Sequence, residues 1–194
     1  MAAIALALLG CAAKPPISSE AQLLAWQQHR QQVSRLGSWS FSGRVSIKTD
    51  TDAWSGQLRW EQGDDHYQIH FAAPFGQGAF QLLGTSTGVE MRLSDGQVFQ
   101  ARDAETLLNE QLGWHFPLQG LRHWVMGVPA PNNQPSIVLD EAGRLARFVL
   151  PNHWQVSYPD YQTWGGIDLP RKVFVENTEL NVRLVIDRWE LNRG

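Results

Sequence analysis

The chain has 194 residues, 43% hydrophobic and 18% charged, with a formal charge of -3 and a mean hydropathy of -0.30. That length suits one domain with a real core, that polarity excludes a bundle of membrane spans, and the lack of net basic charge gives nucleic acid no electrostatic footing. Nine Trp and a single Cys stand out, and one thiol can close neither an internal disulfide nor a Cys-based zinc site.

The cysteine is Cys11, directly after the apolar run Met1–Leu9 and Gly10. The run is too short for a bilayer span, which needs roughly 20 apolar residues, but it matches the apolar core of a signal peptide. Leu8-Leu9-Gly10-Cys11 has the spacing of the bacterial lipobox, in which a cysteine after a small residue is lipid-modified and, after cleavage, becomes N-terminal. An incidental free thiol is the bland alternative. Residues 1–10 are therefore predicted as signal peptide, 11–18 as a lipidated tether stiffened by Pro15 and Pro16, and 19–194 as a single domain. No Lys or Arg precedes the run, which fits a translation start upstream of Met1. By resemblance to bacterial lipoproteins, in which Asp after the cysteine retains the protein at the inner membrane, Ala12 points outward.

Ser19 and Gln22 are spaced as a capping box, and Leu23, Trp26, Arg30 and Val33 follow at helical spacing, with Gly37 as the stop. A helix of about 17 residues is expected. From Ser38 the period becomes two, placing Trp39, Phe41, Val45 and Ile47 on one strand face. Trp54, Leu58 and Trp60 share the next face, Gln62-Gly63-Asp64-Asp65 turns the chain, and Tyr67, Ile69 and Phe71 share another. Phe80 with Leu82, then Val89, Met91 and Leu93, continue the meander, and Asp95-Gly96 turns it into Val98. Asp103 then caps a helix carrying Ala104, Leu107, Leu108 and Gln111, ending at Gly113; Pro117 opens another with Leu118, Leu121, Trp124 and Val125, before Gly127. Further strands are predicted at about 135–140, 144–150, 153–158, 170–177 and 179–189. About ten or eleven antiparallel strands form one sheet, which must curl, and the inserted helices are expected to cover its concave face.

Catalysis finds no support. Gly84-Thr85-Ser86-Thr87-Gly88 fits the G-x-S-x-G pattern, but a nucleophile elbow leads into a helix, whereas Val89, Met91 and Leu93 follow with period two. His66 and His70 share a strand face opposite Tyr67 and Ile69 and lack a third metal ligand. Asp64 and Asp65 read as a solvated turn, and no phosphate-binding loop sequence is present.

Nine large aromatic side chains spread over the elements can simply fill a core, yet a curled sheet lined with stiff rings and roofed by short helices is hard to fill, which favours a persistent apolar cavity. Between two strands, Ala73-Pro74-Phe75-Gly76-Gln77-Gly78 sets a large hydrophobe at a loop tip. Phe75 either folds back onto the sheet or reaches out to dip into a membrane or dock a partner.

The lipobox, the loop Ala73-Pro74-Phe75-Gly76, the segment Leu121-Arg122-His123-Trp124-Val125-Met126-Gly127-Val128-Pro129, Trp154-Gln155-Val156-Ser157-Tyr158 and Asp187-Arg188-Trp189 together resemble, in order and over the mature chain, the LolB family of Gram-negative outer-membrane lipoprotein receptors. The resemblance implies a mainly β fold: an unclosed antiparallel β-barrel of about 11 strands with a helical lid over a hydrophobic cavity. It implies a non-enzymatic receptor without cofactor or metal, lipid-anchored on the periplasmic face of the outer membrane, that accepts lipoproteins from the periplasmic carrier LolA and inserts them into the inner leaflet. Its partners would be LolA, client lipoproteins with their acyl chains and outer-membrane phospholipid, but no nucleic acid, and it would act as a monomer. Phe75, flanked by Pro74 and Gly76, takes the place of the family's protruding loop hydrophobe, usually Leu; Trp60, Trp124, Trp154 and Trp189 map to its cavity aromatics, joined here by Leu58, Met91 and Val125. Two other classes stay open: a membrane-anchored scaffold of an envelope assembly complex, and a general lipid-binding lipoprotein.

Overall fold

A computed structural model describes residues 19–76, 78–131, 134–151 and 153–193. The signal peptide, Cys11 and the tether lie outside the described residues. Helix α1 (Glu20–Ser34) opens the domain with the expected capping box: Gln22 N–H donates to the Ser19 hydroxyl at 3.2 Å, and Ser19 N–H donates to Oε1 of Gln22 at 2.7 Å. Its buried face is Trp26, His29 and Val33. Leu23, expected on that face, is instead 44% exposed.

Six strands follow as a meander: β1 (Leu36–Thr49), β2 (Ala53–Gln62), β3 (His66–Ala72), β4 (Ala79–Thr85), β5 (Val89–Leu93) and β6 (Val98–Ala101). After α2 (Ala104–Leu112) and α3 (Leu118–Trp124) come β7 (Ser136–Leu139), β8 (Leu145–Val149), β9 (Gln155–Trp164), β10 (Ile167–Glu176) and β11 (Leu180–Arg193). All eleven form one antiparallel sheet in the order β6-β5-β4-β3-β2-β1-β11-β10-β9-β8-β7. The outermost strands β6 and β7 do not pair, so the barrel stays open, and α2 and α3 lie in the chain between these two edges. Inward side chains of the sheet and the apolar faces of all three helices belong to a single buried cluster. Among the described residues no helix is long and apolar enough to cross a membrane.

Two departures from the predicted strands have local causes. β9 runs through Pro159 to Trp164 and β10 begins before Pro170, whereas the predicted strands stop at 158 and restart at 170. Proline reads as a strand breaker; here the β9–β10 ladder shifts register between Pro170 and Lys172 and again between Lys172 and Phe174, which absorbs both rings. In β11, Leu180, Val182, Leu184 and Ile186 point inward, then Asp187 and Arg188 are both outside and Trp189 is inside. The β1–β11 pairing slips between Ser42 and Gly43 at this point, a bulge that reverses the parity of the strand.

Candidate functional site

β1, β2 and β11 lie side by side at the centre of the sheet, so their inward positions meet in rows. Phe41 pairs with Trp60 on one side and Trp189 on the other, with ring centroids 6.1 and 5.1 Å apart. Trp39 joins both tryptophans at 5.5 Å. Trp189 is fixed further by its Nε1–H, which donates to the Pro170 carbonyl at 3.2 Å. Without the β11 bulge its ring would face solvent.

Beside this belt is an apolar cavity of about 60 Å³. Its floor comes from inward residues of β1–β4 and β11, among them Leu58 and Trp60; its roof is Leu108 of α2, Trp114 and Phe116 of the α2–α3 linker, and Leu118 and Leu121 of α3. α2 is set over the edge strands by its Asp103 cap, which accepts from Thr106 N–H at 2.8 Å, and stops at Gly113 in the left-handed conformation that glycine adopts without penalty. A volume of that size holds about two water-sized groups.

Leu58 and Trp60 therefore line the cavity. Trp124, Trp154, Trp189, Met91 and Val125 are buried in the same cluster but outside its wall. Trp124 and Trp154 form a second aromatic group under α3: Trp124 lies 5.8 Å from Phe148 and 6.3 Å from Trp154, which meets Phe116 edge-on at 5.8 Å. The Tyr158 hydroxyl donates to the Trp124 carbonyl at 2.9 Å, tying α3 to β9, and burial raises the Tyr158 pKa well above its usual value. Met91 pairs with the lining residue Leu82, one strand further out. Trp114 and Phe116 sit in an aperiodic linker, where no sequence period marks them as lining residues. The remaining floor residues all occupy the inward parity of β1, β3, β4 and β11.

A wider groove of about 910 Å³ opens between α1 and the segment after α3, but Gln27, Arg30, Gln31 and Arg122 line it together with its apolar residues. His66 and His70 are exposed as expected. Gly84–Gly88 is the β4–β5 hairpin turn, closed by Thr85 N–H donating to the Gly88 carbonyl at 2.9 Å. Among the described residues no group of three or more His, Cys, Asp or Glu could hold a metal ion.

Pro74–Gly76 form a single 3₁₀ turn between β3 and β4, beneath which Ala73 N–H donates to the Gly78 carbonyl at 2.9 Å. Phe75 stands at its tip, 98% exposed, with φ 57° and ψ 24°. The ring reaches outward and does not fold back on the sheet.

A family model described as outer membrane lipoprotein LolB matches residues 37–189. An outer-membrane lipoprotein LolB of Pseudomonas aeruginosa is 37% identical, over 98% of this chain and 94% of its own length. One from Nitrosococcus oceani is 38% identical over 95% and 92%. In fold, the chain is similar to a putative outer membrane lipoprotein-sorting protein domain from Vibrio parahaemolyticus, with a TM-score of 0.57, 11% identity and coverage of 89% and 92%. It is also similar to a LolA superfamily protein from Nitrosomonas europaea, with a TM-score of 0.51, 9% identity and coverage of 91% and 94%.

Proposed function

The chain belongs to the LolB family of outer-membrane lipoproteins, and from that premise we propose that it takes lipoproteins from the periplasmic carrier LolA and inserts them into the inner leaflet of the outer membrane. The family is one of lipoproteins, not of enzymes. The observation that carries the reading is the apolar cavity roofed by α2 and α3. A solid core would fit a packed scaffold better. A client's acyl chain lifts the roof and enlarges this cavity, and a long chain then reaches the second aromatic group of Trp124 and Trp154, while Val125, Met91 and Trp189 complete the enlarged lining.

Burial of an acyl chain is worth roughly 0.8 kcal/mol per methylene, so exposing one sixteen-carbon chain to water costs on the order of 12 kcal/mol by the same figure. Transfer from cavity to cavity avoids that state. Without a nucleotide to drive it, transfer runs downhill from carrier to receptor to bilayer. Phe75 acts at the last step: its exposed ring enters the lipid surface and brings the loaded cavity to the acceptor leaflet. Lipidated at Cys11 after loss of residues 1–10, and tethered by residues 11–18, the protein works as a monomer from the periplasmic face, with outer-membrane phospholipid as the acceptor.

The test is reconstituted transfer of a labelled lipoprotein from loaded LolA into liposomes. With Phe75→Glu, the protein is expected to accept the client from the carrier as before while liposome insertion falls at least tenfold. Insertion at the unsubstituted rate would remove Phe75 from the mechanism, and failure of the unsubstituted protein to take up client would remove the receptor reading altogether.

A further inference from the structure

A strand paired on one side only turns the N–H and C=O of every second residue away from the sheet, and such an edge is a template for a further strand. The sheet has two edges, β6 and β7. Next to β6, Leu93 N–H of β5 donates to the Gln97 carbonyl at 2.9 Å, and the register then sets Met91 opposite Phe99 and Val89 opposite Ala101. On the other flank of β5, Thr85 N–H donates to the Gly88 carbonyl at 2.9 Å and Ser94 N–H to the Ala79 carbonyl at 3.0 Å, so the alternate residues of β5 bond to β4. By this alternation Phe99 and Ala101 are bonded to β5, while the backbone groups of Val98 and Gln100 face the open side. Among the described residues no further strand meets them there, and both residues are exposed. Proteins protect free edges with charge, proline or bulges. β7 is protected: Pro135, which has no N–H, precedes it, and its ladder with β8 shifts register between Val138 and Leu139. β6, Val98-Phe99-Gln100-Ala101, has no charge and no proline, and its ladder with β5 is unbroken.

We infer that the free edge of β6 holds the client's polypeptide: the first residues after the acylated N-terminus lie extended along β6 and pair with the backbone of Val98 and Gln100. The inference rests on the reading that acyl chains enter beneath α2 and α3, and it adds where the rest of the client goes. A lipoprotein carries its acyl chains on its N-terminal residue, so its polypeptide begins where they end. With the chains under the roof, that polypeptide emerges beside the lid. Only Arg102 and Asp103 separate β6 from α2, and the barrel wall is interrupted between β6 and β7. An added strand also extends the cover of Phe99 and Ala101, which are only half-buried on the inner face. Strand addition draws its affinity from main-chain hydrogen bonds, so the edge accepts clients of differing sequence and rejects proline at the residues that must donate to it.

The experiment compares two probes on the purified protein: an N-decanoyl octapeptide of alternating Ser and Thr, and N-decanoyl methylamide, which has the same acyl chain and no peptide. The octapeptide is expected to bind about tenfold more tightly, the worth of one or two net hydrogen bonds. Amide exchange read by NMR on the unsubstituted protein gives an answer independent of any variant's folding: Val98 and Gln100 should slow about tenfold or more with the octapeptide and not with the methylamide, with a smaller change at Phe99 and Ala101, whose amides β5 already holds. N-methylation of every second octapeptide amide should abolish the advantage in one alternation and keep it in the other. Gln100→Pro removes an N–H that β5 does not use and is expected to erase the advantage while affinity for the methylamide stays within about twofold. Equal affinities for the two probes, unchanged exchange at Val98 and Gln100, equal losses from both methylation patterns, or an advantage that survives Gln100→Pro each overturn the inference with the cavity reading intact. Slow exchange at Val98 and Gln100 in the free protein that fades on dilution would assign the edge to a second copy of the chain and overturn it as well. Binding of neither probe overturns the cavity reading and this inference with it.

Discussion

Phe75 holds a conformation that costs an L-residue on the order of 1–3 kcal/mol, and its ring gains nothing back from the protein because almost all of it is in water. Glycine adopts the same φ freely. Phe75→Gly is therefore expected to leave the melting temperature unchanged or raise it by a few degrees while insertion is lost, so that stability and transfer, read on the same sample, move apart. A parallel fall in both would mean that the ring supports the fold. His29 shows the opposite relation between residue and fold. It is 6% exposed, stacked on Trp26 at 6.0 Å and edge-on to Tyr161 at 6.5 Å. Burial pushes its pKa below the usual 6.5; nearby Asp168 and Asp140 oppose that and Arg144 adds to it. The folded state thus keeps the imidazole neutral, and the unfolded chain takes up the proton first as pH falls. Stability from this site is complete above a pH of about 6.5 and drains away below it. His123, lowered by burial and by Arg122, acts in the same sense. Thermal melts from about pH 7.5 to pH 5 should show a falling midpoint, with a shallower fall in His29→Phe; an unchanged slope would clear His29 of the effect.

Among the elements, the β11 bulge builds the aromatic belt beside the cavity, because it turns Trp189 inward beside Phe41 and Trp39. The opposing residue is Gly43, where a Cβ would collide with the Val185 carbonyl oxygen. Gly43→Val should cost about 3 kcal/mol or more, since the backbone itself must move, and urea unfolding would measure it; a loss within about 0.5 kcal/mol, the range of a neutral surface substitution, would show that the strands can part there freely. Such a bulge is invisible in the residues, for the alternation Leu180, Val182, Leu184, Ile186 gives no sign of where it ends. β1 to β5 were legible because short hairpins keep strict parity between clear turn residues. α1 and α2 were legible from their caps, Ser19 with Gln22 and Asp103, and α2 from its stop at Gly113, whereas α1 ends at Ser34, before Gly37, which lies in β1, and α3 ends at Trp124, before Gly127. β9 and β10 were cut short because Pro159 and Pro170 look like ends until a register shift on the partner strand absorbs them. Trp114 and Phe116 went unread for a simpler reason: a linker has no period, so nothing in it marks which rings face a cavity.

At the scale of the molecule, the sheet is anchored in its middle and loose at its rims. β1 and β11 are the longest strands and pair along nearly their whole length, whereas the edge strands β6 and β7 have four residues each and one neighbour apiece. The lid joins those two rims. Native-state hydrogen exchange should therefore find the slowest amides in β1 and β11, exchanging only through global unfolding, and faster exchange through partial opening in β6, β7 and α3. Adding a lipidated client should slow exchange in the lid and leave the β1–β11 amides unchanged; protection gained first at the β1–β11 pairing would place the moving part elsewhere.

That central pairing also sets the order in which the protein can come into being. The two strands at the heart of the sheet are the first and the last to be made, so each half is a meander with a long open flank until the final residues arrive. Contacts between such distant parts of a chain form slowly. The cavity floor, which needs side chains from both β1 and β11, has no earlier version. A chain that stops short of Leu180 is two unjoined sheets, and the cavity appears at one moment, when β11 closes the seam.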